Sequence, residues 1–552
     1  MSKEKKRRNY GTFTLPLFRQ FIRLLQAAHS RSPATEITAR SSSRKSGWSR
    51  RRFLRFSALA AGAAIATTAI SELPPLQTAW GYGRPKVAIA GGGIAGLNAA
   101  YQLKKLGLTA TVYEAKPYVG GRIQSRTVVS DNLVNDLGGS FVNTEHEDIL
   151  ALVDEFGLEL FDRVADAERS DFPETAYYFD GRAIPEAELL DLLRPLADQL
   201  ASDTALLDED FDTYALQFDR LSAADYLDRH GDKISAPVVR VLTENAIRVE
   251  YGVEAQDSST LQLLYMVQLL DEETVSPIDS DEIYYIKGGS GKLSEALSTA
   301  LPGQILTNMP LTKLQSQGDG FRLTFGTGSI VEADYVILAL PFMALRHVDL
   351  QVDLPDTLRR FINEVNLGIN EKLFAGFNQR AWHQERGFVG EAWTDLGYSS
   401  IWEETQRQPE QSQGSLTFFL GGDEVHRFRQ NTNGRGRKFV NRLNKVLPGA
   451  QAAATGRFSR TNWAEDPYIG GSYTSFKPGQ YLEFAEFLYI EADDPDERQD
   501  VSVGNLVFAG EHLSDEYYGY MNGGAQTGRL AAEVVASQVR AKLPLDAINN
   551  SA

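Results

Sequence analysis

The 552-residue sequence contains no cysteine, and this absence removes several classes of chemistry. Structural disulfides, thiolate metal sites, cysteine nucleophiles and cofactors linked through a cysteine sulfur are all excluded. Histidine is also scarce, with seven residues and no spacing typical of metal ligands. His146 lies in the acidic stretch NTEHED, and we interpret it as part of a solvated loop rather than as a metal ligand. We therefore expect no metal site.

Long apolar runs are absent as well. A membrane-spanning helix needs roughly 18 or more consecutive apolar residues. The best candidate, residues 56–70, is shorter and dominated by alanine. The stretch 541–552 is a polar tail. We therefore expect no permanent membrane anchor.

An excess of positive charge is confined to one end of the chain. Residues 1–69 contain 15 lysines and arginines against two acidic residues, so they carry +13. The whole chain carries −17, which leaves −30 for the remainder. An acidic body argues against nucleic acid and anionic membranes as partners. It favours either attraction of small cations or a plain role in solubility.

The stretch SRRRFLR at 49–55, followed by a weakly apolar run, resembles a twin-arginine export signal. The alternative is an exposed basic turn before a helix. The resemblance implies transient binding to the twin-arginine translocase and export of a folded protein to the periplasm, the exterior or a thylakoid lumen. Residues 1–79 would form the signal region, with a disordered start and cleavage between residues 69 and 80.

Residues 86–114 predict a strand, a glycine-rich turn, a helix and a second strand. The turn GGGIAG fits the pattern G-x-G-x-x-G, in which glycines let the backbone approach a pyrophosphate at a helix N-terminus. A carboxylate at the end of the second strand can accept hydrogen bonds from ribose hydroxyls. The predicted dinucleotide contacts are Gly91, Gly93, Ile94, Ala95, Gly96, Glu114 and Ala115.

A second glycine turn, Gly120-Gly121-Arg122, follows closely and places a cation beside the same phosphates. This arrangement resembles FAD-binding oxidases rather than NAD dehydrogenases. Export supports the same choice, because a soluble NAD pool is not expected outside the cytoplasm, whereas FAD can be bound tightly before transport.

Three later motifs extend the resemblance from about residue 86 to about residue 535: NDLGGSFVN, NWAEDPYIGGSYTSF and FAGEHLSDEYYGYMNGGAQTG. Together they resemble the flavin amine oxidase family, which includes monoamine, polyamine and L-amino-acid oxidases. The resemblance implies a mixed α/β fold, with a Rossmann-type FAD domain (84–161, 284–360 and 466–540) interleaved with a substrate domain of mixed sheet and helices (162–283 and 361–465). It implies further FAD contacts at Gly121, Arg122, Gly138, Gly139, Ser140, Leu311, Trp463, Gly510, Glu511, Tyr520 and Met521.

The same resemblance assigns roles at the reacting centre. Lys372 matches the lysine that holds a water against the flavin, and Tyr473 and Tyr520 match the aromatic cage that binds the amine. Two departures matter. Ser472 stands where mammalian monoamine oxidases carry a flavin-linked cysteine, so FAD should be non-covalent. Phe141 stands where eukaryotic L-amino-acid oxidases place an arginine for the substrate carboxylate.

The predicted activity is FAD-dependent oxidation of a primary amine or amino acid, with dioxygen reduced to hydrogen peroxide. The first alternative is an L-amino-acid oxidase that prefers basic amino acids. A carotenoid desaturase-like flavoprotein and a non-catalytic flavin-binding protein are more distant alternatives. The oligomeric state stays open, with a homodimer as one option.

Overall fold

The computed structural model describes residues 21, 24, 25, 27–29, 84–266, 282–427, 431–492 and 494–542. The predicted twin-arginine stretch, the apolar run at 56–70 and most of the polar tail lie outside the described residues. Within the described part of the chain, no helix has both the length and the apolar character needed to cross a membrane.

One sheet of six strands carries the glycine-rich turn. Its strands lie in the order Ile305–Leu306, Ala110–Tyr113, Val87–Ala90, Tyr335–Leu338, Leu506–Phe508 and Ser502–Val503. The first five run parallel to one another, and the last is antiparallel to its neighbour. All residues of the two central strands are buried, as expected for a parallel sheet with both faces covered.

Two helices from distant parts of the sequence pack tightly beside this sheet, Ile94–Lys105 and Met521–Ala541. Gly528 permits their close approach, because a Cβ at this position would lie 2.3 Å from the carbonyl oxygen of Ala95. Both helices begin at the same cavity. The glycine-rich turn at 91–96 and the C-terminal motif that contains Tyr520 therefore lie close together.

A second sheet of seven strands faces the other side of that cavity. Its order is Ala454–Arg460, Asn370–Phe377, Gly414–Gly421, Ser400–Glu403, Glu391–Thr394, Thr175–Phe179 and Arg182–Ala183. Its pairs are antiparallel apart from Glu391–Thr394 with Thr175–Phe179. Every residue of Asn370–Phe377 is buried, so this strand lacks the polar alternation of a surface strand.

The smaller elements complete the two halves. A four-stranded sheet has the order Ile330–Ala333, Gly320–Phe325, Leu311–Gln317 and Asp349–Gln351, and a three-stranded sheet the order Phe141–Val142, Tyr284–Ile286 and Leu160–Asp162. Two pairs are Ser125–Thr127 with Val134–Asp136 and Asn366–Leu367 with Thr474–Ser475. The other helices are Glu147–Glu155, Arg163–Glu168, Glu186–Glu209, Phe211–Asp219, Ala223–Arg229, Pro237–Tyr251, Thr260–Met266, Gly291–Ala300, Phe342–Leu345, Asp356–Glu364, Asp423–His426, Thr432–Val446, Ala450–Ala453 and Gln480–Glu483. Short 3-10 helices are Gly231–Lys233, Ala255–Asp257, Trp463–Glu465, Ala485–Phe487, Pro495–Glu497 and Glu511–Leu513.

The predicted fold class is confirmed: the architecture is mixed α/β, with mixed sheets and helices. The predicted strand–helix–strand unit is present as Val87–Ala90, Ile94–Lys105 and Ala110–Tyr113. The domain boundaries given above stay predictions.

Candidate active site

The N-terminus of the helix Ile94–Lys105 lines the cavity. Its N-cap, Gly93, makes no side-chain cap, and the first turn contains no acidic residue. The first N–H groups of a helix lack intrahelical acceptors and carry the positive end of the helix dipole. This end of the cavity is therefore built to receive an anionic group such as a pyrophosphate.

Glu114 is oriented by backbone donors at the end of its strand. Its Oε2 accepts from the Gly92 N–H at 2.7 Å, and its Oε1 accepts from the Lys116 N–H at 2.8 Å. Burial raises the pKa of this carboxyl above its ordinary value, although both hydrogen bonds oppose the rise. The oriented carboxylate lies at the cavity wall, where it can accept hydrogen bonds from hydroxyl groups of a ligand.

Two glycines of the turn GGGIAG have different roles. Gly91 has a φ of 109°, and a Cβ there would lie 2.3 Å from the carbonyl oxygen of Ala339. Gly91 lines the cavity, whereas Gly96 does not. A Cβ at Gly96 would lie 2.0 Å from the Gly91 carbonyl oxygen, so Gly96 serves the packing of the turn against its own helix.

Arg122 joins the glycine turn to the C-terminal motifs. Its guanidinium donates to the Ser472 carbonyl at 2.6 Å and to Oε1 of Glu511 at 2.9 Å. Burial alone would raise the pKa of Glu511, but the neighbouring charges of Arg122 and His512 and the N–H of Gly519 bring it below the ordinary value. The pair therefore fixes the segment before Tyr520 beside the glycine turn.

The structure gathers nearly all predicted residues around one cavity. Gly96 is the exception. The residues predicted to contact FAD or to act at the reacting centre that line this cavity are Gly91, Gly93, Ile94, Ala95, Glu114, Ala115, Gly121, Arg122, Gly138, Gly139, Ser140, Leu311, Lys372, Trp463, Tyr473, Gly510, Glu511, Tyr520 and Met521.

Lys372 lines the cavity from the buried strand Asn370–Phe377, where it lies opposite Phe419 of the neighbouring strand. Its ammonium donates to the carbonyl oxygens of Asp136 at 2.9 Å and Gly138 at 2.7 Å, and to Oγ of Ser140 at 2.7 Å. Burial lowers the pKa of Lys372, and nearby carboxylates partly oppose this. An ammonium has three donor hydrogens, so these acceptors can use all of them. A water held by Lys372 must therefore replace or share one of these acceptors.

A buried charge cluster supports Lys372 from behind. The side chains of Asp136, Arg407 and Glu404 are inaccessible to solvent, with Arg407 paired to both carboxylates. Oε2 of Glu404 accepts from the indole N–H of Trp402 at 2.9 Å. The Lys372 ammonium lies 5.1 Å from the centre of the Trp402 ring. Two cations and two carboxylates balance, which reduces the cost of burying each charge.

Tyr473 and Tyr520 come from separate elements and line the same cavity. The hydroxyl of Tyr473 donates to the Val249 carbonyl at 2.6 Å, which fixes its ring. Tyr520 is the N-cap of Met521–Ala541, a second helix N-terminus without a capping side chain or an acid in its first turn. The interpretation of His146 as a solvated residue was wrong: it is fully buried, 5.2 Å from the Tyr520 ring, and burial lowers its pKa to about 3.

The sequence reasoning missed several residues of this wall. Glu282, Asn370, Trp402 and Phe419 line the cavity beside the predicted ones. Asn370 accepts from the Ser472 hydroxyl at 2.7 Å. Trp402 and Phe419 are brought there by the register of the seven-stranded sheet, and Glu282 by the strand that follows it. Their own sequence surroundings carry no motif that signals a site.

Phe141, at the position of the family arginine, also lines the cavity. The guanidinium of Arg163 lies 5.0 Å from the centre of its ring and pairs with Glu391 at 3.3 Å. Among the described residues that line the cavity, the lysines and arginines are Lys116, Arg122 and Lys372. Lys116 pairs with Asp466, so each of these cations already has partners in the protein.

Two uncapped helix N-termini, a bare glycine cradle and an oriented carboxylate at the end of the second strand fit an extended dinucleotide with an aromatic head group. A Cβ at Gly93 would meet nothing closer than 4.0 Å, and this leaves open space at the phosphate end. Trp463 and Tyr520 supply flat apolar surface at the other end. The fold and site thus define a dinucleotide-binding oxidoreductase.

Comparison with known proteins makes this specific. Residues 94–536 match the family model described as "Flavin containing amine oxidoreductase", and the chain belongs to this family. Flavin-containing amine oxidase B of Cavia porcellus is 27% identical over 84% of this chain and 88% of its own. Flavin-containing amine oxidase A of Sus scrofa is 25% identical over 81% and 84%, respectively. FAD is therefore the cofactor of this protein, and the residues that line the cavity fit it.

Solved structures share the fold. Cyclohexylamine oxidase from Brevibacterium oxydans IH-35A superposes with a TM-score of 0.68 at 23% identity, over 83% of this chain and 100% of that one. Putrescine oxidase bound to putrescine gives a TM-score of 0.67 at 22% identity, over 82% and 99%.

Proposed function

We propose that this protein is an FAD-dependent oxidase of a primary amine that carries a second positive group. Bound FAD would supply the acceptor for the hydride that leaves the carbon beside the amine, and dioxygen would then take the two electrons to give hydrogen peroxide. Hydrolysis of the imine product gives ammonia and an aldehyde or a keto acid.

The observation that carries this proposal is that buried carboxylates line the same cavities as the two tyrosines. Glu282 is fully buried and lines the main cavity. Glu250, which is 5% exposed, lines a small adjoining cavity together with Tyr473 and Tyr520. Burial raises the pKa of Tyr473 well above its ordinary value, and both carboxylates raise it further. Negative charge beside Tyr473 favours a cationic group of the substrate in this part of the cavity.

The side chains of the protein would orient the substrate and exclude water from around it. The apolar rings of Trp402, Phe419 and Tyr520 exclude water from the space in front of Lys372. A dry site disfavours the ammonium form at the reacting nitrogen and so helps to supply the neutral amine that oxidation needs. Glu282, which lines the main cavity, would hold a second, distal cation, which stays charged and fixes the substrate's direction.

An L-amino-acid oxidase that prefers basic amino acids is the second candidate. It requires a cation for the substrate carboxylate, and Arg163 lies directly behind Phe141. A rotation of the Phe141 ring would open a route to that guanidinium. The buried carboxylates would hold the basic side chain equally well in this case.

Non-covalent FAD and export are part of the same proposal. Ser472 supplies no thiol for a flavin linkage, and the chain has no cysteine elsewhere. Acid precipitation should therefore release all the flavin into the supernatant, and yellow colour in the pellet would contradict this. The stretch at 49–55 supports twin-arginine export to the periplasm, the exterior or a thylakoid lumen.

A peroxide-release screen of the purified FAD-loaded protein tests the proposal. The panel contains monoamines, diamines, polyamines and the twenty common amino acids at equal concentration. We expect the highest kcat/KM for compounds with two cationic groups. Preference for neutral monoamines or neutral amino acids would overturn the proposal, and preference for arginine or lysine over diamines would select the second candidate.

A further inference from the structure

A short helical stretch near the start of the chain lies against the folded body. Phe21, Leu24, Leu25 and Ala28 are helical and at most 1% exposed. Their spacing of three, one and three residues places all four on one face of a helix. They belong to the same hydrophobic core as residues of the helix Glu186–Glu209. The stretch therefore buries a continuous apolar face rather than isolated side chains.

Two polar contacts identify the helix Glu186–Glu209 as its partner. The guanidinium of Arg194 donates to the carbonyl oxygen of Ala28. Nδ1 of His29 lies 2.7 Å from Oδ1 of Asp198. Arg194 and Asp198 are one turn apart on the same side of that helix. Ala197, beside them, is fully buried and small, which allows a second helix to approach closely.

We propose that the described residues of this stretch (21, 24, 25 and 27–29) form a docking segment that binds the helix Glu186–Glu209 in cis and leaves it once the chain is cut between the segment and the body. The face that the segment binds exists only when the helix Glu186–Glu209 has folded. The segment can therefore dock only after this part of the predicted substrate domain has formed. The segment ends at His29 and the described body begins at Arg84, so the proposed export signal at 49–55 lies between them in the sequence.

The contact would depend on an intact chain, because the segment and the helix that it binds belong to the same molecule. While the chain is intact, covalent connection holds the segment near its helix at an effective concentration well above a micromolar bulk concentration. A cut between residues 69 and 80, where removal of the signal is proposed, lowers this to the bulk concentration. Four apolar side chains and two polar contacts form a small interface, and small interfaces hold only weakly between separate molecules.

Hydrogen exchange of the full-length, FAD-loaded protein tests the proposal. A protease recognition sequence is inserted between residues 70 and 80. Before the cut, amides of residues 21–29 should exchange at least about tenfold more slowly than in a free peptide of the same residues. After the cut and gel filtration at micromolar concentration, the fragment should separate, the helix Glu186–Glu209 should exchange faster, and the FAD content should stay the same.

Variants of the intact chain make the test specific. Leu24→Asp with Leu25→Asp should abolish the protection of residues 21–29, and Asp198→Lys should reduce it. Glu209→Lys, the same charge change at the exposed end of the same helix, is the matched control and should leave it unchanged. Free-peptide exchange in the uncut wild type, full protection in the double variant, or a fragment that stays bound after the cut would each overturn the proposal.

Discussion

The ammonium of Lys372 donates to Oγ of Ser140 at 2.7 Å, across a sequence separation of 232 residues. With its bonds to the carbonyls of Asp136 and Gly138, it fastens the loop at 136–140 to the seven-stranded sheet. The lysine thereby connects the two halves of the molecule at the wall of the cavity. A role toward a bound water and a role in holding the loop are both compatible with this position.

Lys372→Met separates these two roles. Loss of the donors leaves three buried acceptors with fewer partners, so we expect the free energy of unfolding to fall by about 1–3 kcal/mol. If Lys372 positions a water at the flavin, reoxidation of the reduced enzyme by dioxygen should slow far more than FAD binding weakens. Stopped-flow absorbance measures the first rate, and flavin fluorescence the second. Lys287→Met, at an exposed lysine, is the control. Wild-type reoxidation in Lys372→Met would leave the lysine a structural role alone.

Replacing Arg50, Arg51 and Arg52 together by lysine should stop export. Lysine keeps the charge and loses the guanidinium geometry, so the precursor should accumulate inside the cell with FAD bound. Fractionation followed by immunoblotting measures the distribution. The matched control replaces Arg7, Arg8 and Arg19, which lie outside the motif, by lysine. Unchanged export of the first variant would reject the twin-arginine hypothesis.

Tyr473→Ala and Tyr520→Ala should each weaken turnover of the best substrate while the flavin spectrum stays nearly intact. A cation–π contact of roughly 0.5–2 kcal/mol corresponds to about a 2- to 30-fold effect on binding, with more lost if the C–H bond is misaligned. Tyr468→Ala, at a tyrosine that also lines the cavity but is 40% exposed, is a comparison outside the cage. Equal losses in all three variants would contradict a specific cage.

Acidification should destabilise the protein partly through His146. Burial lowers the pKa of His146 to about 3 in the folded state, whereas the unfolded side chain titrates near its ordinary value of 6.5. The unfolded state therefore binds the extra proton, and stability falls as pH decreases from about 6.5 toward 3, by up to about 1.4 kcal/mol per pH unit. His146→Phe keeps the ring contacts and removes the titration. Denaturant melts between pH 7 and 4.5 should show a shallower pH slope in the variant. Parallel slopes would mean that His146 does not contribute.

The local signals in the sequence were enough to predict that the glycine turn and Glu114 lie together, because they belong to one contiguous strand–helix–strand unit, and both line the cavity. Trp402 and Phe419 could not be predicted, since they reach the cavity through strand register in a sheet assembled from distant segments. His146 was misjudged for a related reason. Its acidic neighbours suggested exposure, but Tyr517 and Tyr520, more than 370 residues away, enclose it. Pairing across such distances depends on the complete fold.

The central claim is tested most directly by the kcat/KM values of Glu282→Gln for a monocationic and a dicationic amine of equal length. The amide keeps the shape of the side chain and removes the charge that we propose holds the distal cation. A charged hydrogen bond of about 1.5–3 kcal/mol predicts a fall of roughly 10- to 150-fold in kcat/KM for the dication. The value for the monocation should change little, and the FAD content should match the wild type. Equal changes for both substrates would contradict the account.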